Sequence, residues 1–164
     1  MVKGRRFYLK EREVKLILER ISKTLSLAPA EILDSDSKFE AMKLDGGGRV
    51  FFVDDIPAFI ESEDEILPTL FNERVLSKLP SLTVNMGAVP YICNGADVMA
   101  PGVTKIDGVF TVGSIITISE ERFSKKIAVA RALSSSDEIV AKKQGKVAEN
   151  LHYVSDKLWK AIKQ

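Results

Sequence analysis

Met86-Gly87-Ala88-Val89-Pro90-Tyr91-Ile92-Cys93-Asn94-Gly95-Ala96-Asp97-Val98-Met99-Ala100-Pro101-Gly102-Val103 is the stretch whose reading decides the fold. Its order predicts a short apolar helix over 87–94, a brief strand and a Pro-Gly turn. Asn and Gly enter the left-handed region at low cost, so Asn94-Gly95 is a natural helix stop. Gly95-Ala96 leaves almost no side-chain bulk at the helix exit, and another backbone could approach the main chain there.

Outward from this stretch, the C-terminal half reads as short strands separated by glycine turns, which suggests a small closed or nearly closed barrel. Ser134, Ser135, Ser136 and Asp137 offer N-cap side chains for a second short helix. Asp137 and Glu138 suit the positive end of its dipole. On these residues the chain closely resembles the PUA domain, an RNA-binding module named for pseudouridine synthases and archaeosine transglycosylases. Gly108-Val109-Phe110-Thr111-Val112-Gly113-Ser114-Ile115-Ile116-Thr117-Ile118 is similar to that module's next strand and glycine turn. Lys126-Ile127-Ala128-Val129-Ala130-Arg131-Ala132-Leu133 is similar to the strand after it. Residues 145–153, closed by Asp156-Lys157-Leu158-Trp159, are similar to its final segment. Ser114 stands where the family usually has Asp, and Ala130 where it often has Gly. The resemblance implies an RNA groove along Asn94, Gly95, Ala96, Met99, Pro101 and Gly102. Lys105, Lys126 and Arg131, with Lys125, would be phosphate partners beside it.

The N-terminal half opens with an amphipathic pattern. Val14, Ile17, Leu18, Ile21 and Leu25 share one face of a helix over 9–25, with Glu11, Lys15, Glu19 and Lys23 opposite. Residues 39–44 and 49–53 read as a hairpin around Gly46-Gly47-Gly48, and Ala58-Phe59-Ile60 as a third strand. Pro68 reads as the start of a short helix ending near Leu79, with Leu70, Phe71, Val75 and Leu79 buried. Gly48-Arg49-Val50-Phe51-Phe52-Val53 followed by Ile66-Leu67-Pro68-Thr69-Leu70 resembles the N-terminal domain of the malignant-T-cell-amplified translation factors and their archaeal relatives. The order of segments matches that family along nearly the whole chain. The expected fold class is therefore α+β. An N-terminal α/β domain with a short antiparallel sheet (1–80) precedes a PUA-type β-barrel with two short helices (81–164), the two sharing an interface.

Composition sets the limits. The chain has 164 residues, 45% hydrophobic and 29% charged, which suits one soluble domain or two small ones. No apolar run is long enough for a membrane span, and the charged N-terminus lacks a signal-peptide core, so a cytoplasmic protein without membrane contact is expected. A single cysteine fits a reducing compartment. The net charge of +1 hides a segregation: +5 over residues 1–24, −7 over 25–80 and +3 over 81–164. A basic end and an acidic middle could orient the chain on a polyanion.

Arg5 and Arg6, with Lys3 and Lys10, are candidate phosphate contacts or a solvated terminus. Lys142, Lys143 and Lys146 read as a solvated helix end. Tyr91, Phe110, Phe123, Tyr153 and Trp159 could stack bases, though most fit a core better. His152, the sole histidine, reads as structural, and Cys93 as buried and inert. One His and one Cys cannot build a zinc site of the usual composition, and Gly46-Gly47-Gly48 lacks the residues of a phosphate-binding loop. No catalytic residue, metal or cofactor is expected. Asp54-Asp55 and Glu61-Ser62-Glu63-Asp64-Glu65 read as an acidic loop or a face for a basic partner. The expected function is non-enzymatic binding of tRNA or rRNA in translation, with the ribosomal subunit or a translation or RNA-modification protein meeting the acidic 54–65 region. The alternatives are an adaptor or accessory subunit for an RNA-modifying enzyme, and an RNA-modifying enzyme itself, for which the first 80 residues leave little room.

Overall fold

A computed structural model describes residues 4–163, so Lys3 lies outside it. The described chain divides into two compact units. One runs through Ser77 and includes the residues from Lys160 onward; the other is Lys78–Trp159. The architecture is mixed α+β.

The first unit begins with β1 (Phe7–Tyr8), α1 (Glu11–Leu25) and α2 (Pro29–Ile32). Ile17, Ile21 and Leu25 of α1 are buried at four-residue spacing, and the helix ends at Ser26 in the left-handed region (φ 54°). The strands β2 (Phe39–Lys43), β3 (Arg49–Val53), β4 (Ile56–Ser62) and β5 (Glu65–Pro68) follow, and then α3 (Glu73–Leu76). The sheet runs β1-β2-β3-β4-β5 and is antiparallel throughout. Phe51 faces Ala41 on one side and Phe59 on the other, and all three are buried. Pro68 closes a strand rather than opening a helix. It sits opposite Phe59 on an edge strand, where a residue without an N–H is tolerated. The helix that follows is capped by Asn72, whose side chain accepts from Val75 N at 3.2 Å.

The second unit contains β6 (Ser81–Val84), α4 (Val89–Ile92), β7 (Val98–Met99), a 3-10 turn (Ala100–Gly102), β8 (Val103–Asp107), β9 (Ile115–Glu120), β10 (Lys126–Ala132), α5 (Ser136–Ala141) and β11 (Lys146–Tyr153). The terminal helix α6 (Lys157–Lys163) follows. The sheet order is β7-β11-β10-β9-β6-β8, with β6 and β9 parallel and every other pair antiparallel. It is a curled half-barrel with two edges. Leu82, Val84, Ile116, Ile118, Val147 and Ala148 pack inside, with Ala128, Ala130 and Ala132 alternating along β10. Ala130, where the PUA pattern often has Gly, is fully buried in this row. Ser135 caps α5 reciprocally: its side chain accepts from Glu138 N at 3.2 Å, and Glu138 accepts from Ser135 N at 3.4 Å.

Candidate nucleic-acid interface

The helix in the deciding stretch is shorter than its sequence suggests, covering Val89–Ile92. Its stop is a Schellman turn. Ala96 N donates to Tyr91 O and Gly95 N to Ile92 O, both at 3.0 Å, with Gly95 in the left-handed region (φ 96°). A methyl group at Gly95 would also crowd the Tyr153 hydroxyl. Asn150 pins the turn from below: its Nδ2 donates to Ile92 O and Ala96 O, both at 3.0 Å.

This turn forms one wall of a groove of about 630 Å³, lined by Gly95, Ala96, Met99, Pro101 and Gly102 together with Asn85, Tyr91, Asp97 and Lys146. Five of the residues singled out in the sequence are thus brought together. The far wall is set by Asn85, whose N–H donates to Gly102 O at 2.8 Å and whose side chain accepts from Ala88 N at 2.9 Å. Tyr91 is 71% exposed on the rim, so it belongs to the surface rather than the core. Asp97 is the carboxylate of the groove, and it is held. One oxygen accepts from Asn150 N at 2.9 Å and the other pairs with Lys146 Nζ at 3.2 Å. Lys146 is not a helix end: α5 stops at Ala141, and Lys146 opens β11 opposite Met99. Lys146 and Asn85 carry no local signal. Only the β7–β11 pairing and the return of the chain through Gly102 place them here.

The remaining candidates lie elsewhere. Asn94 is exposed in the turn beside the groove without lining it. Lys105 is on β8, paired with Asp107 at 3.4 Å, and Lys126 begins β10 opposite Ser119. Arg131 projects from β10 on the face away from the alanine core and pairs with Glu149 at 4.0 Å. On the first unit Arg5 is exposed, while Arg6 is held by Asp55 at 2.8 Å and lies 4.1 Å from the Phe52 ring centroid.

His152 is 1% exposed, and its Nδ1 lies 2.7 Å from Asp156. Asp156 also accepts from Tyr153 N at 2.9 Å and Trp159 N at 2.6 Å, the latter opening α6. Burial works to raise its pKa, but the hydrogen bonds from His152, Trp159 and Tyr153 together hold the carboxyl below its usual value. This is a structural clasp. Cys93 is half-buried against the core, and burial pushes its thiol pKa up. Among the described residues no group of three or more His, Cys, Asp or Glu could hold a metal ion. None of their helices is long and apolar enough to cross a membrane.

Residues 80–154 match the PUA domain, and residues 5–72 match a domain of unknown function (DUF1947). An uncharacterized protein of Methanocaldococcus jannaschii is 31% identical over 158 residues, covering 94% of this chain and 95% of that protein. Translation machinery-associated protein 20 of Saccharomyces cerevisiae is 25% identical over 136 residues, covering 79% of this chain and 75% of that protein. A crystal structure of a PUA domain from Aeropyrum pernix, in complex with tartrate, superimposes with a TM-score of 0.85 at 22% identity. It covers 99% of this chain and 92% of that one, and shows the shared fold. Fold and groove together define a PUA-class protein, and the PUA module is an RNA-binding one. The chain belongs to the family that joins this module to the DUF1947 domain, and that includes translation machinery-associated protein 20 and malignant T-cell-amplified sequence 1.

Proposed function

We propose that this chain is a non-enzymatic RNA-binding protein that grips tRNA or rRNA in translation, in the cytoplasm, with residues 1–80 and 81–164 as its two domains. The observation that carries this reading is the groove at Gly95-Ala96. Its wall is main chain with almost no side-chain bulk, and its carboxylate is already neutralised by Lys146. A sugar-phosphate backbone can approach such a wall closely, and cations elsewhere on the same unit would meet phosphates further along the strand without reading sequence. The translation-associated names of the relatives support the setting.

Replacing Ala96 with Glu puts a charged side chain where the RNA would lie. In a folded Ala96→Glu protein, tRNA affinity should fall roughly a hundred-fold, the scale of a like-charge clash at an interface. With roughly three to five phosphates neutralised, log affinity should fall against log salt with a slope of about −2 to −5. Unchanged affinity in Ala96→Glu, or a salt-independent interaction, would sink the assignment. RNA should come back chemically unchanged from incubation with the protein.

A protein partner on the acidic 54–65 region is the second reading. Asp55 and Glu61 are already paired with Arg6, Lys38, Arg20 and Arg49, which leaves Glu63 and Asp64 at the turn tip as the carboxylates to test. Charge reversal at both should weaken that association and leave tRNA binding unchanged.

A further inference from the structure

The turn between β9 and β10, Glu121-Arg122-Phe123-Ser124-Lys125, projects outside the groove, and Phe123 is 79% exposed at its tip. Packing does not account for so bare an aromatic ring. The turn is built rather than loose. Glu120 is buried, and its Oε1 accepts from Phe123 N at 2.5 Å and from Lys125 N at 3.1 Å. Burying a carboxylate is unfavourable unless such bonds satisfy it. Glu120 N donates back to Lys125 O at 3.0 Å, and Ser124 takes a left-handed conformation (φ 56°) to let the chain return.

The turn is also fastened to the groove. Glu121 N donates to Val84 O at 3.1 Å, and the Glu121 carboxylate accepts from Met86 N at 3.1 Å. Val84, Asn85 and Gly87 line the groove wall. Lys125 also lies near enough to Cys93, at the end of α4, for its positive charge to oppose the rise in thiol pKa that burial causes. Arg122 and Lys125 are exposed and enter no ion pair among the described residues, and Lys126 follows at the start of β10. Three cations therefore stand beside one exposed ring, against Glu121, which is bonded to Met86.

We propose that this turn is a second RNA-contact element, in which Phe123 stacks on an unpaired base while Arg122 and Lys125 meet phosphates of the strand leaving the groove. The inference rests on the RNA-binding reading of the groove. A rigid aromatic tip flanked by cations is the arrangement by which single-stranded nucleic acid is held without sequence preference.

The test measures tRNA binding by the full chain at two salt concentrations for the wild type, Phe123→Ala, the double variant Arg122→Ala/Lys125→Ala, and Ala96→Glu. Phe123→Ala should lower affinity about ten-fold, the scale of one lost stacking contact, with the salt slope unchanged. The double variant should reduce the steepness of that slope by about 1 to 2. All three side chains are exposed, so thermal unfolding should not move. If Ala96→Glu loses binding while both turn variants bind like the wild type, the turn is not an RNA contact and the groove reading stands. If the turn variants lose binding and Ala96→Glu does not, the groove assignment fails and the turn remains. A wild type that binds no tRNA at low salt overturns both.

Discussion

Arg6, Arg20, Arg49 and Arg74 of the first unit each close on a carboxylate, at 2.8, 3.3, 2.7 and 3.0 Å, whereas Arg122 and Lys125 of the second stand on a turn without an ion pair among the described residues. The cations of residues 1–24 and the acids of 54–65 look like opposite patches along the sequence. In three dimensions they meet: Arg6 finds Asp55, Arg20 finds Glu61, and Arg49 bridges Glu61 and Glu13. Charge in the first unit thus holds strands and helix together. Charge on the second unit's turn has no such internal use among the described residues. A run of like charge in a sequence is a surface feature only if the fold brings nothing opposite to it.

Four changes would break or sharpen that contrast, beginning with the largest. Glu61 accepts two bonds from Arg49, at 2.7 and 3.0 Å, with side chains only 23% and 13% exposed. Glu61→Ala leaves Arg49 with Glu13 alone and Arg20 with the Asp64 carbonyl, and should destabilise the first unit by about 2–3 kcal/mol. A urea midpoint that does not move would mean the network is ornamental. Asp156→Ala removes a helix cap and the partner of His152, and should destabilise by about 1–2 kcal/mol. The acid limb of the stability profile gives a third, smaller effect. The Arg49 hydrogen bond holds Glu61 below its usual pKa against the opposing pull of burial, and Lys38, with a lesser contribution from Arg6, does the same for Asp55. A carboxyl depressed in the folded state stabilises fully above its unfolded pKa, near 4, and that contribution fades as pH falls through the lower folded value. Glu61→Gln should therefore flatten the loss of stability below about pH 4, as followed by acid titration of the unfolding midpoint; an unaltered limb would remove Glu61 from the account. Arg122→Ala should shift stability by no more than about 0.5 kcal/mol, and a larger loss in thermal unfolding would show that the turn is structural after all.

Much of the groove was legible because its geometry is carried by turn residues. Gly95 takes a left-handed conformation, Ala96 follows it in the Schellman turn, and Pro101-Gly102 redirects the chain; each of these is written locally. The hairpin around Gly46-Gly47-Gly48 was legible for the same reason, since a methyl at Gly48 (φ 84°) would strike the Glu61 carbonyl. Pro68 misled because a proline suits both the first turn of a helix and an edge strand, and the choice depends on whether a neighbour lies opposite. Here Phe59 does. Lys146 was out of reach of local reading because its place against Met99 joins residues far apart in the chain. His152 and Asp156 did leave a signal: an Asp three residues before Trp159 at a helix start is a capping pattern, and a His four residues earlier can share its carboxylate. Phe123 stands in the sequence among aromatics that could stack bases or fill a core, because its residue type suits both. Its exposure is set by the fold of the turn, where Phe123 N donates to the buried Glu120 carboxylate.

The parallel pairing of β6 with β9 fixes the order in which the second unit can assemble. β9 and β10 are joined by a tight turn and can pair as soon as both exist, but Ser81 must wait for Thr117, and Val84 for Glu120. Joining strands so far apart in the chain costs more loop entropy than closing the β9–β10 turn, so the parallel pair forms later than that hairpin. A chain growing from its N-terminus can pair β6 with β8 once β8 is made, but the parallel edge of β6 stays open through the synthesis of β9. The strand that leads into Asn85 is thus among the first parts of the unit to be made, yet it is flanked on both sides only once β9 exists. Until Glu120 has arrived, Val84, the strand's last residue before Asn85, has a neighbour on one side only.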